Sequence, residues 1–437
     1  MRILVVGGGG REHVLADRLA ASARVEEVLC APGNAGTAAV AQNVHLAVDD
    51  HDALVQLARE RRVDLTVVGP EAPLCAGLVD RFEAADLTIL GPTAAAARIE
   101  GDKAYAKRLM HRCLVPTADG RIFDRFEAAK TYVATRDTPQ VVKAAGLAAG
   151  KGVVVCDDPA DAILALEEIM VDERFGAAGR TVLIEEKLKG PELSILALVD
   201  GHTIYVLESA QDYKRVGEGD TGPNTGGMGA ISPAPTVPEE IFERIEREIL
   251  VPIVDGLRSD GAPYRGVLYA GLMLTPAGPK VLEFNCRFGD PEAQAVLVRL
   301  QTDLADVLEA TATGRLDQIQ LHWDPRPAVC VVQACGGYPG QYQTGSTITG
   351  LDDAAALKDV AVFHAGTVTR GNVTVTAGGR VLGVTALGET VDQARARAYE
   401  GIDKISFAGA FCRRDIAAVH PPPAKRKGTQ PGPVSRI

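Results

Sequence analysis

Over residues 1–102, short apolar runs alternate with segments whose apolar positions recur at helical spacing. Residues 3–6, 25–31, 64–69 and 87–90 read as strands; 13–23, with Val14, Leu15 and Leu19 on one side, and 52–61 read as helices. Gly- and Pro-rich loops follow the strands, and this order predicts a doubly wound parallel sheet with ligand loops at its carboxyl edge. From Lys103 the pattern changes. A helix runs to His111, and 140–143, 153–156, 181–186 and 194–199 are short strands around a Gly-rich loop at 146–152. Two further strands, 267–275 and one from Lys280, are joined by a hairpin at 276–279, and 293–312 reads as one helix. From about residue 327, strands at 328–334, 360–364 and 380–386 and a helix at 391–402 predict an α+β unit ending at His420. Residues 421–437 are polar, Pro-rich and basic, and read as disordered.

The composition narrows the class. Of 437 residues, 46% are hydrophobic and 24% charged, which suits a soluble chain of several domains. A net charge of -11 disfavours nonspecific nucleic-acid binding but leaves room for a local basic pocket. The eight cysteines have no zinc-like spacing and read as small buried hydrophobes in a reducing compartment. A strand begins at once and no apolar run approaches a membrane helix, so a cytoplasmic protein without signal peptide or membrane partner is expected.

The richest chemistry lies at residues 280–292. Period-two alternation sends Glu283, Asn285 and Arg287 to one face and Phe284, Cys286 and Phe288 to the other. A carboxylate and an amide oxygen suit Mg²⁺ held jointly with phosphates. The guanidinium suits a carboxylate or phosphate. The competing reading is a solvated face on which Arg287 only pairs with Asp290 or Glu292 to hold the turn.

Other loops point the same way. The first has Gly7-x-Gly9, but Glu12 stands where a dinucleotide fingerprint needs glycine, and Ala31-Pro32 where it needs an acid, so a nicotinamide dehydrogenase is disfavoured. Backbone N–H groups there, beside Arg11, suit a phosphate. The loop 146–152 is not a Walker A motif, since the spacing is one residue short and Gly152 replaces Ser or Thr; a Gly-Lys loop between strands can fold over phosphates as a flap. Lys143, inside an apolar strand, needs a partner. Glu185 and Glu186 end a strand, with Leu188 and Glu192 just beyond, where a nucleoside could bind. Beyond 211–215, the Gly-rich segment 220–229 reads as a binding loop.

Taken together, residues 9–13, 31–37, 68–71, 146–153, 211–216, 220–229, 283–292 and 363–367 resemble the phosphoribosylamine–glycine ligase family of the ATP-grasp superfamily. The resemblance implies an N-terminal Rossmann-like substrate domain (1–102), an ATP-grasp domain (103–326) with a mobile flap subdomain at about 123–191, and a C-terminal α+β domain (327–420). It implies a carbon–nitrogen ligase of de novo purine synthesis, joining glycine to 5-phosphoribosylamine with ATP through a glycyl phosphate, with Mg²⁺ or Mn²⁺. Glu283 and Asn285 would hold the metal. Lys103, Lys143, Gly146, Lys151 and Gly152 would meet phosphates, and Glu185, Glu186, Leu188 and Glu192 the nucleoside. Arg287, Lys143, Asp212 and Lys214 would serve catalysis. Gly9, Gly10, Arg11, Glu12, Asn34, Pro70, Glu71, Asp212, Lys214, Asn224, Gly226, Gly227, Arg287 and Asp290 would hold the other two substrates. A monomer with small-molecule partners is expected. The sequence departs from the family at Gly8 (usually Asn), Ala145 (usually Asp) and Lys187 (often aromatic). The alternatives are another ATP-grasp enzyme, such as a carboxylating or formate-using purine ligase, and a catalytically silent nucleotide-binding module.

Overall fold

The computed structural model describes residues 1–148, 150–235, 237–418 and the backbone of 435–436. The N-terminal sheet is fully parallel. Its strands lie in the order Gln42–Asn43, Glu27–Pro32, Arg2–Gly7, Leu65–Val68, Ile89–Leu90, as the doubly wound pattern predicts. Ile3, Leu4, Val5 and Val6 have no solvent exposure, as expected of a central strand covered on both faces. The first helix starts at Gly10, three residues earlier than the apolar spacing suggests. Glu12 causes this: its carboxylate accepts the Gly9 N–H at 2.5 Å and closes the helix start. Gly69 leaves room for that carboxylate: a Cβ there would lie 1.9 Å from Glu12 Oε1 and displace it.

A four-stranded antiparallel sheet follows, in the order Gly120–Phe123, Val182–Glu186, Gln140–Ala144, Val153–Cys156. Helices Phe126–Ala134 and Pro159–Leu166 cover it around a separate small core containing Val142, Cys156 and Ile184. The next sheet is antiparallel and runs Gly278–Asn285, Arg265–Thr275, Glu192–Asp200, Thr203–Val206. The expectation of a tail without structure lies outside the described residues, except at Ser435–Arg436, which pair with Thr203 and Ile204 at the edge of this sheet and so depart from it.

The last sheet runs Gln211–Asp212, Gly229–Ser232, Ala328–Cys335, Arg380–Leu387, Val360–His364, with Ala410–Phe411 added on Ala328–Cys335. Segment 211–232 is thus built into the C-terminal sheet and is more than the loop its glycines suggest. Within it, Arg215–Gly217 and Thr221–Asn224 pair as a small hairpin. A second hairpin, Thr367–Arg370 with Val373–Thr376, was not expected either. The single helix expected over 293–312 is three pieces, Glu292–Val296, a 3₁₀ turn Leu297–Arg299, and Leu304–Ala312. The break follows from Arg299, which is buried on Glu208, Ser232 and the carbonyls of Asp324 and Arg326; Asp303 then caps the new helix through the Ala305 N–H. All eight cysteines are free. Among the described residues no helix is long and apolar enough to cross a membrane.

His13 joins the first helix to the C-terminal sheet. Its Nδ1 accepts the His364 backbone N–H at 2.7 Å, and its ring meets Phe363 edge-on. Burial, with His364 beside it, lowers its pKa to about 3. The unfolded chain, with a histidine near 6.5, takes up the proton first. The contribution of neutral His13 is therefore complete above about pH 7 and declines as pH falls from 6.5 towards 3, by up to about 2 kcal/mol at pH 5. Melting temperatures of wild type and His13→Asn at pH 7.5 and pH 5 should show the smaller acid-induced drop in the variant. Parallel drops would refute this coupling.

Candidate functional site

A cleft of about 590 Å³ opens where the sheets converge. One wall is the strand Gly278–Asn285. Phe284, Cys286 and Phe288 are 3% exposed or less, while Glu283 and Arg287 face the cleft, so the alternation expected from sequence holds. Lys143 crosses from the four-stranded sheet. Its Nζ donates to the Leu282 carbonyl at 3.0 Å and pairs with Glu185 at 2.5 Å. Glu185 also pairs with Lys107, whose ammonium is anchored on Thr117 Oγ1 and the Ala118 carbonyl, both at 2.8 Å. Burial raises the Glu185 carboxyl, but Lys143 and Lys107 outweigh it and hold it below the usual range. Lys103, on the same helix as Lys107, lies in the cleft with its pKa lowered by burial, against the pull of Glu283.

Arg287 meets Glu100 at 2.9 Å, Glu71 at 3.3 Å, the Phe288 carbonyl at 3.1 Å and Asn285 Oδ1 at 3.3 Å. Its ion pairs are therefore with the N-terminal unit, and not with Asp290 or Glu292. Asp290 is held by Arg380 at 3.4 Å and by Gln294. Lys214 sits 3.0 Å from Glu192, 3.8 Å from Glu283 and 3.9 Å from Asp212. Burial pushes Asp212 well above the carboxylate range, with Lys214 opposing and Glu292, Glu192 and Glu283 adding to it. Burial likewise raises Glu283, but Lys214, Lys103 and Lys143 prevail and hold it low.

Eighteen of the expected site residues line this one cleft. They are Arg11, Pro70, Glu71, Lys103, Lys143, Gly152, Glu185, Glu186, Leu188, Glu192, Asp212, Lys214, Asn224, Gly226, Glu283, Asn285, Arg287 and Asp290. Gly9, Gly10, Glu12, Asn34, Gly146, Lys151 and Gly227 do not. Asn34 uses its side chain on the carbonyls of Gly8, Gly9 and His364 and the N–H groups of Gly36 and Thr37, and Glu12 is buried on Gly9 and Arg11, so both shape loops. Sequence reasoning missed Glu100, Lys107, Tyr269 and Arg380, and gave Glu292 no role in binding. Lys107 carried a signal, since it lies one helical turn beyond Lys103; Arg380, an isolated arginine at a strand start, carried none.

The comparisons agree with this architecture. Models of the phosphoribosylglycinamide synthetase N domain, ATP-grasp (A) domain and C domain match residues 1–100, 101–293 and 328–419. The chain belongs to the phosphoribosylglycinamide synthetase family. A phosphoribosylamine–glycine ligase from Rhodopirellula baltica is 51% identical over 422 residues, covering 95% of this chain and 97% of its own. One from Allochromatium vinosum is 53% identical over 419 residues, covering 95% and 98%. The crystal structure of phosphoribosylamine–glycine ligase from Thermotoga maritima superposes with a TM-score of 0.84 at 33% identity, over 95% of this chain and all of that one. A biotin carboxylase from Campylobacter jejuni shares the fold alone, with a TM-score of 0.71 at 16% identity over 95% of this chain and 94% of its own. In this phosphoribosylglycinamide synthetase family member the ATP-grasp model ends at residue 293, past the strand bearing Glu283 and Asn285 and past Arg287.

Replacing Lys107 by Met leaves buried Glu185 with one cationic partner. Breaking such a buried array typically costs about 3 kcal/mol. Urea unfolding should show a clearly lowered midpoint for Lys107→Met; a midpoint equal to wild type would show that Lys143 alone suffices.

Proposed function

We propose that the chain joins glycine to 5-phosphoribosylamine at the expense of ATP, giving glycinamide ribonucleotide, ADP and phosphate in purine synthesis. One observation carries the reading: near 50% identity, over about 95% of the chain, to proteins named for that ligation. The cleft fits it. A carboxylate does not condense with an amine at neutral pH, so glycine's carboxylate first attacks the γ-phosphorus of ATP and ADP leaves. The amine of phosphoribosylamine then attacks the carbonyl carbon of glycyl phosphate, phosphate leaves, and the amine's proton is released. Both steps gather negative charge on phosphate oxygens, so positioning and fixed cations do most of the work.

Lys103 and Lys143 line the cleft beside Glu283, and we assign them to the phosphates. Glu185, Glu186 and Leu188 edge the nucleoside end, and Arg287 a carboxylate or acyl phosphate. Glu283 and Asn285 fit a divalent cation: among the described residues no hydrogen-bond donor reaches the Glu283 carboxylate and no three His, Cys, Asp or Glu side chains could hold an ion alone, so phosphate oxygens would complete its shell. Such an ion, Mg²⁺ or Mn²⁺, neutralises phosphate charge when bound. In this reading residues 1–102 present substrate loops, 103–326 grasp ATP with a flap at about 123–191, and 327–420 close the cleft. The protein acts as a cytoplasmic monomer on small molecules, without nucleic acid or membrane.

ADP release with ATP, glycine and freshly generated phosphoribosylamine should exceed release without the amine. Turnover independent of glycine would overturn the reading. Glu283→Gln keeps shape and removes a charge, and should lose most turnover at limiting Mg²⁺ while melting like wild type; near-normal activity there would exclude Glu283 as a ligand. Gly150, at φ +74°, and Gly152 flank Lys151 in the proposed flap. Limited proteolysis within 146–152 should be suppressed by ATP with Mg²⁺, and equal cutting in both states would make the segment a static hairpin.

A further inference from the structure

Lys107 lies just behind the cleft wall. It is 1% exposed and does not line the cleft, whereas Ala106, Met110 and Ala118 around it do. Its ammonium has three N–H groups and three acceptors: Glu185 Oε1, Thr117 Oγ1 at 2.8 Å and the Ala118 carbonyl at 2.8 Å. Nothing is left over for a ligand. Lys143 differs. It takes the other carboxylate oxygen of Glu185, Oε2, at 2.5 Å, and the Leu282 carbonyl at 3.0 Å. Among the described residues it has no third partner, so one N–H remains for the cleft. Two ammoniums and one carboxylate also leave this array one positive charge in excess. The anchors matter as well as the charge. Thr117 Oγ1 donates in turn to the Val281 carbonyl at 2.8 Å, next to the Leu282 carbonyl that holds Lys143. Both lysines are thus tied to one short stretch of the strand Gly278–Asn285, with Glu185 between them.

We infer that Lys107 is a positioning residue for ATP: through Glu185 it fixes where Lys143 presents its remaining N–H to the phosphates. This rests on the ATP-dependent ligation proposed above and adds to it a residue that does not face the cleft. With Lys107 in place, one oxygen of Glu185 is pinned from behind, and only the other is given to Lys143. Without Lys107, both oxygens are free to turn to Lys143. The ammonium is then drawn towards Glu185 and away from the cleft, and the remaining pair has no net charge with which to attract phosphate. Lys143 itself keeps its length and its charge, so the loss comes from its placement.

The test is a double-mutant cycle on the full-length enzyme, assayed at a temperature where every variant is folded. Lys107→Met should raise KM for ATP about tenfold, within the range for coupled neighbours, while KM for glycine stays within about twofold. In a Glu185→Gln background the same substitution should add less than about twofold, because the carboxylate through which Lys107 acts has gone. A structural role alone would instead lower the urea midpoint and kcat and leave both KM values unchanged. That result would overturn the proposal, as would equal effects of Lys107→Met in the two backgrounds. Should Lys107→Met not fold, Lys107→Gln removes the charge and keeps N–H donors for Thr117 and Ala118, and the same comparisons apply. Should Glu185→Gln not fold, the split between the ATP and glycine KM values decides alone. Calorimetric titration of each variant with ATP and Mg²⁺ repeats the cycle without turnover. Wild-type enzyme that binds ATP but releases no ADP with glycine and phosphoribosylamine would refute the ligation itself, a separate outcome.

Discussion

The contact on which the cleft depends is the Lys143 ammonium, held between Glu185 and the Leu282 carbonyl. It ties the four-stranded sheet to the strand that carries Glu283 and Asn285 and leads into Arg287, two elements with separate hydrophobic cores. Apolar packing is non-directional and would fix neither the depth nor the angle of that meeting. An ammonium with one carbonyl and one carboxylate partner fixes both. Glu185 can serve only because Lys107 shares its charge from the other side; with a single lysine, the burial of so enclosed a carboxylate would be poorly offset.

A second constraint comes from the C-terminal unit. Strands Gln211–Asp212 and Gly229–Ser232 continue its sheet, so the segment between them is pinned at both ends. Arg413, almost wholly buried, donates to the Arg215 carbonyl and Asp220, and Arg380 donates to the Gly226 carbonyl and that of Asp290. Two arginines far along the chain thus hold the stretch that presents Asp212, Lys214 and Asn224. The C-terminal unit therefore does more than cover the cleft; it sets the positions of groups that face it.

Much of this was legible beforehand. The parallel sheet was readable because a strand covered on both faces shows as an uninterrupted apolar run, as residues 3–6 do. The face of Glu283, Asn285 and Arg287 was readable because a strand has a fixed period of two. What escaped was decided by distant partners. The break at Leu300 depends on Arg299 finding Glu208 and Ser232, and no local propensity reveals that. Asn34 and Glu12 looked like ligands for the same reason that they are useful in loops: short polar side chains bond nearby backbone. Glycine-rich composition marked 211–229 as a place where backbone comes close to something, but not that part of it would be sheet.

The distribution of charge explains why the site is divided among several units. Nine carboxylates and eight basic side chains line the cleft, so it is nearly neutral as a whole. They are not evenly placed. Arg287 is paired with Glu71 and Glu100, and Lys143 with Glu185; Glu283 lies among Lys214, Lys103 and Lys143, whereas Asp212 has Lys214 at 3.9 Å as its nearest cation. A low-dielectric cleft magnifies such differences: charges that are paired there hold each other firmly, and a carboxyl with a distant partner, such as Asp212, is pushed up by burial. Lys214, 3.9 Å from Asp212 and 3.8 Å from Glu283, thus links the group carried by the C-terminal sheet to the strand on the opposite wall.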